Sequence, residues 1–183
     1  MCDISLVDEI KFLERYNQHF QEFILRFERF KEIRCQYEKT RDQKLLTDFR
    51  CYIDMLIVQI RSFCLEKDSL NSKNYTVQNL LNRLSSEELA NNINNFLNRP
   101  LYDACEGEYR NIKNAIKFVS DKYICHHDKL SREEFLEIDC IFKELASPYS
   151  KNNFDAIINE FLKYILEAQQ KFMNRMLEIS KES

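Results

Sequence analysis

The stretch LVDEIKFLERYNQHFQEFILRFERFKEIRCQY, residues 6–37, decides the fold. Ile10, Leu13, Phe20, Phe23, Phe27 and Phe30 recur at helical steps, and Glu14, Gln18, Glu22, Arg29 and Glu32 take the opposite side. A chain with 3.6 residues per turn gathers the first set on one face and the second on the other, so a long amphipathic helix is predicted. Working outward, EKTRDQK is a polar connection to a second helix over 45–66, whose stripe is Ile53, Leu56, Ile57, Ile60 and Cys64. This is the most apolar part of the chain and is predicted to be the central helix of the core. Arg61 stands within it, which suggests a buried, ion-paired cation. KDSLNSKNYT then reads as a loop, because its side chains bond readily to their own backbone.

Helical signals continue to the end. Thr76 is a natural N-cap for a short helix over 77–84. Ser85 or Ser86 caps the next, with Glu87 and Glu88 in the first turn, where carboxylates suit the helix dipole. Pro100 is placed to open a further helix at its first position, running from 101, or from 108 if Gly107 breaks it, to 124. Ser131 followed by Glu134 has the form of a capping box and starts a helix to 145, which Ser147-Pro148 stops. The last helix covers 153–179, with Phe154, Ile157, Phe161, Ile165, Phe172 and Met176 on one stripe. The expectation is an all-α, single-domain helical bundle of about five to seven helices, occupying residues 1–183.

Composition narrows the function. Among 183 residues there is one glycine, Gly107, which excludes Gly-rich phosphate loops, dinucleotide fingerprints and nucleophile elbows. The net charge of −3 argues against a broad basic surface for nucleic acid, though not against a local basic stripe. Cys2, Cys35, Cys51, Cys64, Cys105, Cys125 and Cys140 form no C-x-x-C pair, so they read as reduced, mostly buried thiols of a cytosolic protein. The start, MCDISLVDEIKF, is acidic where a signal peptide is basic, and the longest aliphatic run, residues 55–58, is too short for a membrane span. A cytoplasmic protein without membrane association is expected.

One segment can carry chemistry. Two of three histidines, His126 and His127, sit together in SDKYICHHD, residues 120–128. On a helix, Arg110, Lys113, Lys117 and Ser120 fall within about a quarter turn of one another, so a polar, basic stripe leads to the histidines. Imidazole can move protons at neutral pH, and cations can hold a phosphate. Lys113, Lys117 and His127 are thus candidate substrate-binding residues. On the residues alone, a helix C-terminus whose basic side chains and histidines complement the dipole is the simpler reading. Cys125, His126, His127 and Asp128 have metal-ligand chemistry, but neighbours on a helix diverge by about 100°, and no metal or other cofactor is expected.

The phrase SDKYICHHDK resembles the signature of the HEPN superfamily, in particular its abortive-infection AbiU-type branch. YIDMLIVQIRSFCLEKDSLNSKNYTVQNLLNRL resembles the same branch, with a hydrophobic helix, an arginine, a polar loop and a short Leu-rich helix. The resemblance implies a helical bundle that pairs as a homodimer and a metal-independent ribonuclease. The RNA's own 2′-hydroxyl would attack, with a histidine transferring protons and an arginine on the phosphate. Carried over by position, the histidine is His126, the polar residue Asp121 and the lysine Lys122. The arginine position is occupied by Ser120, which has neither fixed charge nor forked donors. Losing that charge costs about 3 kcal/mol or more of transition-state stabilisation. The resemblance therefore implies a weakened or altered ribonuclease of a toxin or phage-defence system, partnered by RNA and by a cognate antitoxin or nucleotidyltransferase-like protein. The alternative is a non-catalytic dimer that binds RNA, a nucleotide or a protein.

Overall fold

Four phenylalanines on one face of a 35-residue helix set the architecture. In a computed structural model, which describes residues 6–65, 76–101, 111–125, 129–147 and 149–182, Phe20, Phe23, Phe27 and Phe30 of α1 (Leu6–Thr40) are at most 1% exposed. Arg41, at φ 57°, turns the chain out of α1. Asp42 then caps α2 (Gln43–Cys64) by accepting the Lys44 N–H at 2.9 Å. α2 returns along α1 and sets the Phe63 ring edge-on to Phe20, with centroids 5.2 Å apart.

α7 (Phe154–Glu182) covers the other side of the same ladder. Phe161 meets Phe23 edge-on at 5.5 Å and Phe172 stacks on Phe20 at 5.7 Å. Polar ties flank this seam: Gln169 Nε2 donates to Asn17 Oδ1 at 2.7 Å, and Arg175 Nε to Glu9 at 2.9 Å. α3 (Val77–Arg83) and α4 (Glu87–Asn98) complete the core with Val77, Leu80, Leu81, Leu89, Ile93 and Phe96. Arg99 pins the end of α4 to Glu160 on α7 at 2.7 Å.

α5 (Ile112–Val119) packs on α2 and α4 through Ile112, Ala115, Ile116 and Val119. α6 (Arg132–Ala146) starts at the expected capping box and ends at Ser147. Seven α-helices and no strand occur among the described residues, so the all-α bundle stands. Their order and most of their ends follow the apolar periodicity. No helix among these residues is long and apolar enough to cross a membrane.

Two expectations are corrected. Pro100 does not open a helix, because it bridges to Asn111, with Ile112 N–H donating to Arg99 O at 3.0 Å, and α5 begins only after this contact. The helix-first role of proline suits a chain that continues helical, and here Leu101 is a bend instead. Nor are the described thiols mostly buried. Cys35, Cys51 and Cys140 lie on exposed helix faces, whereas Cys64 is enclosed, its pKa pushed up by burial.

Candidate functional site

Of the expected basic stripe, Lys113 and Lys117 stand exposed on α5, whereas Ser120 is buried against α2. Asn111 caps α5, its Oδ1 accepting the Asn114 N–H at 2.8 Å. The helix then alternates between apolar residues turned to the core and exposed Lys113 and Lys117 turned outward. Past Val119 it widens into a π-helical turn over Ser120–Cys125. α-helical spacing was expected to persist to residue 124. The wider turn delays the register, so residues after Ser120 no longer extend the α5 stripe at 100° steps. Such turns are uncommon and concentrate at functional sites.

The π-turn opens on a polar knot. Ser120 is fully buried. Its hydroxyl donates to Lys117 O at 3.0 Å, and its oxygen accepts from Arg61 Nη1 at 2.8 Å. The same guanidinium nitrogen donates to the Asp121 carboxylate. Arg61 keeps 21% of its side chain exposed and Asp121 31%, so the pair sits at the edge of the protein, within reach of solvent. A serine and an aspartate from one segment thus hold a guanidinium delivered by another helix.

Lys122 has a different partner. Its Nζ lies 3.0 Å from Glu134 Oε1. Glu134 also accepts the Ser131 backbone N–H at 2.8 Å, and Ser131 Oγ accepts the Glu134 N–H at 3.1 Å. Lys122 therefore fastens the π-turn to the first turn of α6. The Glu134 pKa is lowered, first by the hydrogen bond from the Ser131 backbone and then by Lys122.

Of the residues singled out from the sequence, Ser120 and Asp121 come together at one guanidinium. Lys122 turns to α6, and Lys113 and Lys117 stand exposed on α5. His126, His127, Asp128 and Arg110 lie outside the described residues. Among the described residues no cluster of three or more His, Cys, Asp or Glu could hold a metal ion. The residue that sequence reading underrated is Arg61. Its signal was visible, a full charge on the most apolar helix, but the position of its partner was not. No family model, curated protein or solved structure matches the chain.

Proposed function

We propose that the chain is a HEPN-like, metal-independent ribonuclease in which Arg61 supplies, from α2, the guanidinium that the motif position lacks. The observation that carries this reading is the 2.8 Å hydrogen bond from Arg61 Nη1 to Ser120 Oγ, at the position where the resemblance implies an arginine. Arg61 is planar, permanently charged and rich in N–H donors, so it can take up a phosphate oxygen beside Asp121. His126 directly follows the π-turn in sequence. In the proposed reaction the 2′-hydroxyl oxygen bonds to phosphorus as the 5′-oxygen leaves. One imidazole takes the 2′ proton, and the leaving oxygen gains a proton from an imidazolium. The products are a 2′,3′-cyclic phosphate end and a 5′-hydroxyl end. Two copies would bring two such motifs to one cleft. Exposed Tyr123, Phe135 and Leu136 support pairing, since the Lys122–Glu134 contact sets these residues beside the π-turn.

Cleavage of a mixed RNA pool tests the reading, with His126→Ala, Arg61→Ala and Ser120→Arg beside the parent. Removing one group that stabilises the developing charge lowers such a rate by about 10²–10³. Loss of cutting in both His126→Ala and Arg61→Ala supports the assignment, and an Arg61→Ala variant that cuts at the parent rate overturns Arg61's role.

One observation favours a second reading. Asp121 already places a carboxylate on Arg61. A phosphate must then share or displace it, which suits a catalytically silent dimer that binds RNA, a nucleotide or a protein partner. A parent that never cuts, with Ser120→Arg alone active, decides for this form. Either way, the reading is of a cytoplasmic defence or toxin component, with an antitoxin or nucleotidyltransferase-like protein as the second partner to seek.

A further inference from the structure

Between α1, α2, α6 and the start of α7 runs a groove of about 620 Å³. Phe30, Phe49, Ile53, Phe142 and Phe154 give it apolar walls. Arg34, Glu38 and Asp155 stand in the same lining. The Arg34 guanidinium bonds Asp155 and lies 3.8 Å from Glu38. These three groups set two carboxylates against one cation, so a guest with an apolar anchor and a positive charge beside it complements them.

The chain itself carries such a guest, on α6. Phe135 is 62% exposed and lies outside its own groove, two turns or roughly 10 Å before Phe142. At 100° per residue, Arg132, Phe135, Asp139, Phe142 and Ala146 fall within about a quarter turn of one another, with Lys143 at their edge. Arg132, Phe135 and Ala146 are exposed. Lys143 and Asp139 pair along the helix at 2.6 Å and keep 73% and 43% of their side chains exposed. An acid and a base one turn apart on an exposed face complement themselves. An antiparallel second helix sets each against its opposite, whereas a parallel one in register sets like against like.

We infer that a second copy of this chain occupies the groove, through antiparallel pairing of the two α6 helices about a two-fold axis level with Ile141. In that register Asp139 of each copy faces the partner's Lys143. Phe135 comes level, within one residue, with the partner's Ala146, a small side chain of the groove lining. The ring enters there, against the partner's Phe49 and Phe142. Arg132 follows one turn further on, toward the partner's Glu38 and Asp155, and balances their charge. Each end of the interface thus has an aromatic anchor, and crossed ion pairs fix the register between them. The inference rests on the pairing in the proposed function and gives that pairing its surface. The complementarity of Arg132, Phe135, Asp139 and Lys143 with the groove is independent of any nuclease chemistry.

Sedimentation of the full chain across a concentration series is the test, with circular dichroism to confirm that each variant folds. The parent should dimerise. Phe135→Asn, at an exposed position, should weaken the dimer about tenfold or more. Asp139→Lys and Lys143→Asp should each sediment as monomers where the parent is dimeric, because each sets like charges across the axis. Mixed in equal amounts, these two variants should form a heterodimer, since every contact across the axis is then opposite in sign. A charge pair acting only within one helix cannot produce that rescue. A chain carrying both changes should dimerise again with itself. A monomeric parent leaves the groove to a different protein and overturns the inference. So does a dimer unmoved by Phe135→Asn, or a mixture of the folded charge variants that stays monomeric. The nuclease reading separates from this one. A parent that pairs this way without cutting RNA removes the nuclease alone, and a parent that cuts as a dimer indifferent to all three single changes removes this surface alone.

Discussion

Arg61 Nη1 donates to Ser120 Oγ across 2.8 Å, joining residues 59 positions apart in sequence. Ser120 sends its own proton to Lys117 O, which turns the hydroxyl oxygen toward α2. A buried hydroxyl needs both partners, and a guanidinium in a half-dry site needs acceptors. Each residue thus satisfies the other, and the serine fixes where the charge sits. An arginine at position 120 would bring its own charge to a place where Arg61 already stands.

On the proposed reading, the carboxylate of Asp121 decides how much of that charge a bound RNA feels. Asp121→Asn keeps the side-chain shape and removes the negative charge beside Arg61. Binding of a short RNA should tighten about fivefold, the equivalent of roughly 1 kcal/mol for a partly exposed pair, and should fall more steeply with salt. Fluorescence anisotropy across a salt series measures both. Weaker binding would show instead that Asp121 serves to hold the guanidinium in place.

The phenylalanine ladder should dominate stability. Phe20 meets Phe63 and Phe172 and is fully buried. Phe20→Ala is expected to cost about 3–5 kcal/mol, because the surrounding rings cannot close the void. Leu25, 68% exposed on the same helix, should change stability by less than about 0.5 kcal/mol when truncated. Denaturant midpoints of the two variants give the comparison, and similar losses would mean that α1 buries a different face.

The contrast between Phe20 and Leu25 was readable in the sequence because burial on a helix follows a fixed period. The capping box at Ser131 and Glu134 was readable for a similar reason: both halves lie within one turn. What escaped depends on distant partners. Arg61 announced a need for an acceptor, yet Asp121 is 60 positions away. Pro100 carries a helix-start signal, but its bridge to Asn111 prevails, a contact outside any local window. The π-turn at Ser120–Cys125 has no periodic mark, since one wider turn shifts the register without changing the residue types. The exposed Cys35, Cys51 and Cys140 show that residue preference yields to helix face.

Acid should loosen the attachment of α6. The Glu134 pKa is lowered by the Ser131 N–H and by Lys122. A carboxylate held below its unfolded value contributes stability that is fully present above about pH 4.3 and lost as pH falls through the folded value. Thermal melts from pH 7 to pH 3 should therefore show a steeper acid decline in the parent than in Glu134→Gln. Ser131→Ala removes the other half of the box and should cost about 1 kcal/mol at neutral pH. An unchanged acid slope in Glu134→Gln would assign the decline to other carboxylates.

The scarcity of glycine leaves a mark that mutation can read. Ser85, in the connection between α3 and α4, sits at φ 54°, where a side chain crowds the backbone. Glycine accepts that conformation without the clash, at the expense of greater freedom in the unfolded chain. Ser85→Gly should therefore gain about 0.5–1 kcal/mol, which for a chain of this size raises the melting temperature by about 1–4 °C. Arg41, at φ 57°, is the comparison, because its guanidinium lies 5.5 Å from the centre of the Tyr37 ring. Arg41→Gly relieves the same crowding but gives up a cation–π contact worth about 0.5–1 kcal/mol at an exposed site, so its net change should be close to zero. Calorimetry on both variants separates backbone relief from side-chain contact. Equal gains at the two positions would mean that the Arg41 stacking contributes nothing, and losses at both would place these two turns outside the left-handed region in solution.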